Sequence, residues 1–250
     1  MLVPLFALLA VACSPGNASD DGLTLFAAAS LRVVTDELEA AWTQVAADVP
    51  LTIATEASNV LAAQIEEGAQ ADVFISADDA QTQRLADAGL TAAQPVRFAR
   101  NEIALVARPD GPLAEVADLA AAGTTIIVGG PGTPIGRYTE QALEALASEM
   151  PDPDGFAAAV GANIASREDN VRAALAKVEL GEGDGAIVYR TDARGSDDTI
   201  EIEMPTAARI KAPYSAVRLS DDERAQEFLE WLDGPTAGAI LAEAGFEVDP

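Results

Sequence analysis

Four short segments pair small or hydroxyl side chains with a switch from an extended to a helical pattern. They are Ala27-Ala28-Ala29-Ser30-Leu31, Glu56-Ala57-Ser58-Asn59-Val60, Gly132-Thr133-Pro134-Ile135-Gly136 and Glu168-Asp169-Asn170-Val171-Arg172. Where a strand runs into a helix, the first N–H groups of the helix have no intrahelical acceptor, and the helix dipole places partial positive charge there. Any one of these segments is explained by an ordinary N-cap, with Ser30, Ser58 and Asn170 as the capping residues. Their joint occurrence points further, because several such termini converging on one point make an anion site out of neutral donors. Arg32, Arg137 and Arg172 each follow one of the loops by a residue or two and would add local positive potential, or else are solvated surface charges. Tyr189 ends the apolar run Gly185–Tyr189. Ligands in open α/β sheets bind beyond the carboxyl ends of strands, so its hydroxyl is expected in a cleft rather than its ring in a core.

Other chemistries are excluded by what is missing. The chain of 250 residues has no histidine and a single cysteine, Cys13. That removes histidine-based nucleophile triads, histidine-ligated metal sites and Cys-x-x-Cys metal sites. With 41 acidic residues against 15 basic, the net charge is −26, which argues against a nucleic-acid partner. The same abundance of carboxylates deprives any bare Asp/Glu pair of weight as a catalytic signal. The glycine-rich run Val128–Gly136 lacks the Gly-Lys-Ser/Thr ending of a phosphate loop and does not fit G-x-G-x-x-G, so it reads as a tight connector.

The elements that must position these residues follow from periodicity. Apolar residues make up 49% of the chain, enough for buried cores. Short apolar runs alternate with amphipathic stretches, the signature of α/β architecture with parallel strands. Strands are expected at Leu23–Ala28, Leu51–Thr55, Ala71–Ser76, Thr124–Val128, Asn163–Ser166 and Gly185–Tyr189. The first helix carries Val34, Leu38, Trp42, Val45 and Val49 on one face; the second carries Val60, Leu61 and Ile65 and stops at Gly68. Asp78 or Asp79 caps a third, which closes at Gly89. Val96–Ala107 reads as one long or two linked strands, and Ile210–Leu219 as another extended stretch. Between them lie helices around Leu113–Ala121, Ile135–Met150 and Val171–Val178, and the alternating segment Thr199–Met204. Two helices close the chain, the first begun by a Ser220/Glu223 capping box, the second running from Pro235 to a stop at Gly245. Two strand–helix sets separated by two extended connections imply a second lobe inserted into the first.

The motifs FAAASL (Phe26–Leu31), ASNVLAAQIEEGAQADVFISAD (Ala57–Asp78), PIGRYTEQAL (Pro134–Leu143), EDNVRAALAKVELGEGDGAIVYRTDA (Glu168–Ala193) and FLEWLDGPTAGAILAEAGF (Phe228–Phe246), taken in this order, resemble the molybdate-binding proteins of ABC transporters. These are a branch of the type II periplasmic binding proteins. The resemblance implies an α/β fold of two lobes, each a mainly parallel sheet flanked by helices, joined by two hinge strands. Lobe one would comprise residues 22–98 with 212–250, and lobe two 99–211. It implies that the oxyanion is held by the hydroxyls of Ser30, Ser58 and Tyr189 and by the backbone at Ile135 and Val171, with no metal-cation ligands and no cofactor. Position 135 is Ile where the family often has Ala, and Gly129-Gly130-Pro131-Gly132 stands where an Asp-Pro turn is usual. The ligand expected is molybdate, with tungstate, and the partner a membrane permease, for a monomer that is not an enzyme. A receptor for another small anion such as sulfate is the alternative within the class, and a carboxylate-based enzyme on the same fold the alternative outside it.

Residues 1–12, MLVPLFALLAVA, form an apolar run too short to span a bilayer but suited to a secretory signal. Ala10-Val11-Ala12-Cys13 resembles a bacterial lipobox, which implies acylation of Cys13, and residues 14–21 read as a flexible tether. An ordinary secretory signal with an incidental cysteine is the alternative. The protein is expected outside the cytoplasm on either reading.

Overall fold

A computed structural model describes residues 22–248; the signal segment, Cys13 and the tether lie outside the described residues. The elements in chain order are β1 (Leu23–Ala28), α1 (Thr35–Val45), β2 (Leu51–Glu56), α2 (Ser58–Glu66), β3 (Val73–Ser76), α3 (Asp79–Asp87), β4 (Val96–Ala107), β5 (Ile126–Gly129), α4 (Pro134–Ser148), α5 (Pro153–Asn163), β6 (Ile164–Glu168), α6 (Val171–Glu179), β7 (Gly185–Tyr189), α7 (Arg190–Arg194), β8 (Ile200–Ile202), β9 (Lys211–Arg218), α8 (Glu223–Leu232) and α9 (Pro235–Ala244). Parallel β2-β1-β3 is extended by antiparallel β9, and parallel β6-β5-β7 by antiparallel β4, with β8 beside β4. Each set is flanked by helices, giving the two expected lobes.

The 12-residue β4 is a single strand shared by both sheets. Its first half pairs with β9 from Val96 opposite Ala216 to Glu102 opposite Lys211. Its second half pairs with β7 from Ile103 opposite Tyr189. The ladder with β9 slips between Arg97 and Ala99.

Buried apolar stretches form the elements at nearly the boundaries their composition suggests, and the differences have local causes. In the first lobe Trp42 packs edge-on against Phe228 at 5.2 Å and Trp231 at 5.5 Å, while its Nε1 donates to the Val49 carbonyl at 2.8 Å. That bond turns the chain back, so α1 ends at Val45. Val49 is buried beyond the helix, and Val45, expected on the apolar face, is 63% exposed. Around Leu113–Ala121 only a 3-10 turn over Val116–Ala120 forms, because the Asp118 carboxylate accepts the N–H groups of Ala114 (2.9 Å) and Glu115 (3.0 Å). Those bonds hold the Asp118 carboxyl below the usual range.

Helix α5 has no counterpart in the periodicity, since Phe156 and Val160 alone are buried along it. Its start was nonetheless legible: Asp152 caps it by accepting from Gly155 N–H, and Pro153 follows at the first helical position. Short α7, directly after β7, was also unforeseen. The cap of α8 is Asp222, accepting from Arg224 N–H at 2.9 Å, rather than Ser220, because the helix begins only at Glu223.

Candidate oxyanion-binding site

All four loops meet at one cavity. Its wall includes Ala28, Ala29, Ser30, Ala57, Ser58, Ala77, Thr133, Pro134, Ile135, Asn170, Val171 and Tyr189, so every residue expected to hold the anion lies there. The cavity measures about 20 Å³. On a scale where roughly 10–15 Å³ holds one water, that admits a compact ion and excludes a sugar or amino acid. Among the described residues, no Asp, Glu, Lys or Arg lines it.

Local structure decides what each lining group offers. Helix α4 is capped by Thr133, whose Oγ1 accepts from Gly136 N–H at 2.9 Å and donates to the Gly130 carbonyl at 2.7 Å. Arg137 N–H reaches the Thr133 carbonyl and Pro134 has no N–H, so Ile135 supplies the donor left over at this terminus. The turn requires glycine: a Cβ at Gly136 would meet the Gly130 carbonyl oxygen at 2.1 Å, and one at Gly129 would meet Ile135 Cγ2 at 2.4 Å. At α6, Asn170 accepts from Ala173 N–H at 2.9 Å and its carbonyl takes that of Ala174, leaving Val171 and Arg172 without intrahelical acceptors. At α2 the Ala57 carbonyl takes the N–H groups of Val60 and Leu61, leaving those of Ser58 and Asn59.

Of the three residues that could have been mere caps, Asn170 is one and the two serines are not. Neither Ser30 nor Ser58 makes a side-chain capping bond. Ser58 Oγ instead accepts from Ala77 N–H at 3.1 Å, and Ser30 Oγ lies 2.5 Å from Tyr214 Oη. A hydroxyl whose acceptor side is used by the protein has its own proton left to donate. Tyr189 is 1% exposed, its ring set edge-on to Tyr214 at 5.9 Å and to Tyr138 at 6.5 Å. Its buried Oη has no hydrogen-bond partner in the protein. Burial pushes the phenol pKa well up, with the Tyr214, Tyr138, Asp78 and Asp192 charges adding to it, so the group stays a neutral donor.

The arginines do not do what their positions suggested. Arg137 pairs with the buried Asp78 carboxylate, Arg172 with buried Asp192 at 3.3 Å, and Arg32 sits exposed beside Thr35, Asp36 and Glu39. None lines the cavity, and Arg137 and Arg172 are each held by a buried carboxylate close by. Asp78 also caps α3 by accepting from Gln81 N–H at 2.9 Å. A second polar link, Asn170 Nδ2 donating to Glu56 Oε1 at 2.7 Å, joins the loops after β2 and β6. With the Asp78–Arg137 pair, it ties the lobes together on either side of the cavity. Tyr214, Asn101 and Thr133 are the polar residues here that were not singled out from sequence. Only Thr133, a Thr directly before Pro, carried a local signal.

A family model for bacterial extracellular solute-binding proteins matches residues 23–247. The molybdate-binding protein ModA of Mycobacterium tuberculosis is 30% identical over 230 residues, 90% of this chain and 84% of that one. ModA of Haemophilus influenzae is 31% identical over 255 residues, 96% and 95% of the two chains. In fold, the periplasmic molybdate-binding protein of Azotobacter vinelandii superposes with a TM-score of 0.78, covering 91% of this chain and all of that one at 21% identity. The family match spans almost every described residue and takes in all four loops of the cavity, and the chain belongs to the bacterial extracellular solute-binding proteins.

Proposed function

We propose that this protein captures a tetrahedral oxyanion, molybdate and also tungstate, between its lobes and delivers it to the permease of an ABC transporter. The observation that carries the reading is the buried, partnerless hydroxyl of Tyr189 in the wall of a cavity where Ile135 and Val171 bring N–H groups left over at helix starts. A buried polar group without a partner costs about 1–3 kcal/mol, which a bound acceptor recovers. Ser30 and Ser58 donate through their hydroxyls, Ile135 and Val171 through the N–H groups at their helix starts. Such a ring suits a fully deprotonated dianion and opposes hydrogen phosphate, whose proton would face donors. Sulfate carries the same charge but is smaller, so its rejection rests on the spacing of the donors. The similarity to molybdate-binding proteins favours molybdate.

Lobe one is taken as residues 22–98 with 212–250 and lobe two as 99–211. Ser30 and Ser58 then lie on the first and Ile135, Val171 and Tyr189 on the second, so a bound ion bridges them and favours the closed state, which the permease reads. The mature protein works outside the cytoplasm as a monomer held to the membrane by an acylated Cys13; mass spectrometry of the membrane fraction tests the acylation. Competitive titration calorimetry tests the ligand. Saturable binding of molybdate and tungstate that sulfate displaces only weakly is expected, and binding of sulfate alone would sink the assignment.

The two links across the cleft bear on closure rather than on the ion. Combining Glu56→Ala with Arg137→Gln is expected to weaken molybdate binding about threefold to tenfold through a smaller closed population, chiefly as faster dissociation in stopped-flow measurements. An unchanged dissociation rate would separate these links from closure.

A further inference from the structure

Ser58 and Ser30 reach the cavity in the same state by different means. For Ser58 the acceptor side is filled by main chain, the N–H of Ala77. For Ser30 it is filled by a side chain, Tyr214, whose Oη lies 2.5 Å away with both groups buried. A side chain one step further back bears on which of the two hydroxyls donates. Asn101 Nδ2 donates to Thr191 Oγ1 at 2.9 Å and lies 3.5 Å from Tyr214 Oη. Its Oδ1 accepts from Glu102 N–H at 2.9 Å, and turning the amide round would set its NH2 against that N–H. The amide therefore presents N–H to the phenol oxygen, the phenol turns its own proton to Ser30, and Ser30 turns its proton to the cavity. Burial raises the Tyr214 pKa well above the ordinary value, so the phenol keeps its proton.

We infer that Tyr214 is a positioning residue that fixes Ser30 as a donor and thereby discriminates against protonated oxyanions. The inference rests on the oxyanion reading above and adds a residue that lines no part of the cavity. Without the phenol, Ser30 is free to rotate and to accept a proton from the ligand, so hydrogen phosphate gains relative to molybdate.

The test is calorimetric titration of molybdate, and of inorganic phosphate in its singly protonated form, into wild type, Tyr214→Phe, Ser30→Ala and the double variant. Tyr214→Phe is expected to lose about tenfold in molybdate affinity, the worth of one well-placed hydrogen bond, and to narrow the molybdate-to-phosphate ratio. In the Ser30→Ala background the same change is expected to have no further effect. Unchanged affinity and ratio in Tyr214→Phe would overturn the inference, as would an equal loss in the Ser30→Ala background, which is the mark of packing alone. Wild type that binds none of the oxyanions would overturn the oxyanion reading and this inference together. Should Tyr214→Phe not fold, Asn101→Leu removes the amide while keeping both hydroxyls. Narrowing of the ratio in that folded variant supports the relay, and an unchanged ratio overturns it.

Discussion

Replacing Ser30 and Ser58 together by alanine is expected to lower molybdate affinity by roughly a thousandfold while leaving a cooperatively folded protein. A hydrogen bond to a charged group contributes about 1.5–3 kcal/mol, so two lost donors correspond to a factor of about 10² to 10⁴. The fold feels the change less directly. Ser58→Ala leaves the buried Ala77 N–H without its acceptor, and Ser30→Ala leaves the Tyr214 phenol without one. Each orphan costs about 1–3 kcal/mol, so melting is expected to fall by about 5–20 °C in thermal denaturation. Affinity is then compared at 25 °C, where the variant remains folded. A folded double variant with wild-type affinity would remove both serines from the site.

The second large effect concerns stability. Asp192, on α7, is fully buried, and its carboxyl is pushed up to about 7 chiefly by desolvation. Arg172 opposes the shift through its charge and hydrogen bond, as does the Tyr189 backbone, while the charge of Glu179 adds to it. An aspartate in the unfolded chain titrates near 3.9. Between about pH 4 and 7 the folded state therefore binds the extra proton, and stability falls as pH rises through that window. Above 7 the full cost of an ionised, buried carboxylate persists. A shift of about three units corresponds to at most ~4 kcal/mol. Asp192→Asn cannot ionise, and Arg172, with a third of its side chain exposed, can turn to water. The variant is thus expected to melt near wild type at pH 4.5 and roughly 5–10 °C above it at pH 8. A melting difference that does not change with pH would show that the carboxyl is not the cause.

Much of the framework was legible because buried runs carry their own limits. Leu23–Ala28 and Gly185–Tyr189 are strands at the boundaries their composition suggested. The positive φ of Gly68, Gly89 and Gly245 places a left-handed turn where each helix stop was expected. Less legible was anything set by contact across the chain. Val45 satisfies the helical period yet is exposed, because Trp42 bonds Val49 and turns the backbone away. Arg137 and Arg172 were placed beside the right loops, but their charges are taken by Asp78 and Asp192. Tyr214 lies 184 residues from Ser30, a separation at which spacing says nothing. The four loops could be named together because each is a local strand-to-helix switch; their convergence depends on the sheet order.

The net charge of −26 looked ill suited to an anion's receptor. Among the described residues the lining carries no charged side chain, and of the acids next to it in sequence, Asp78 is paired with the Arg137 guanidinium and Glu56 accepts from the Asn170 amide, so capture rests on neutral donors at short range.

The paired strands β4 and β9 give that closure a mechanical character. A loop that orders on binding loses about 1–2 kcal/mol of backbone entropy per residue. A hydrogen-bonded ribbon has already lost it, and its irregular step between Arg97 and Ala99 is where the ladder yields most easily. On the closure proposed above, opening and closing would be the flexing of a leaf spring, with a restoring force set by sheet twist rather than by chain disorder. Asn101 and Tyr214 sit on the two strands of that ribbon, so the residues proposed to set the Ser30 proton belong to the same element as the proposed closure.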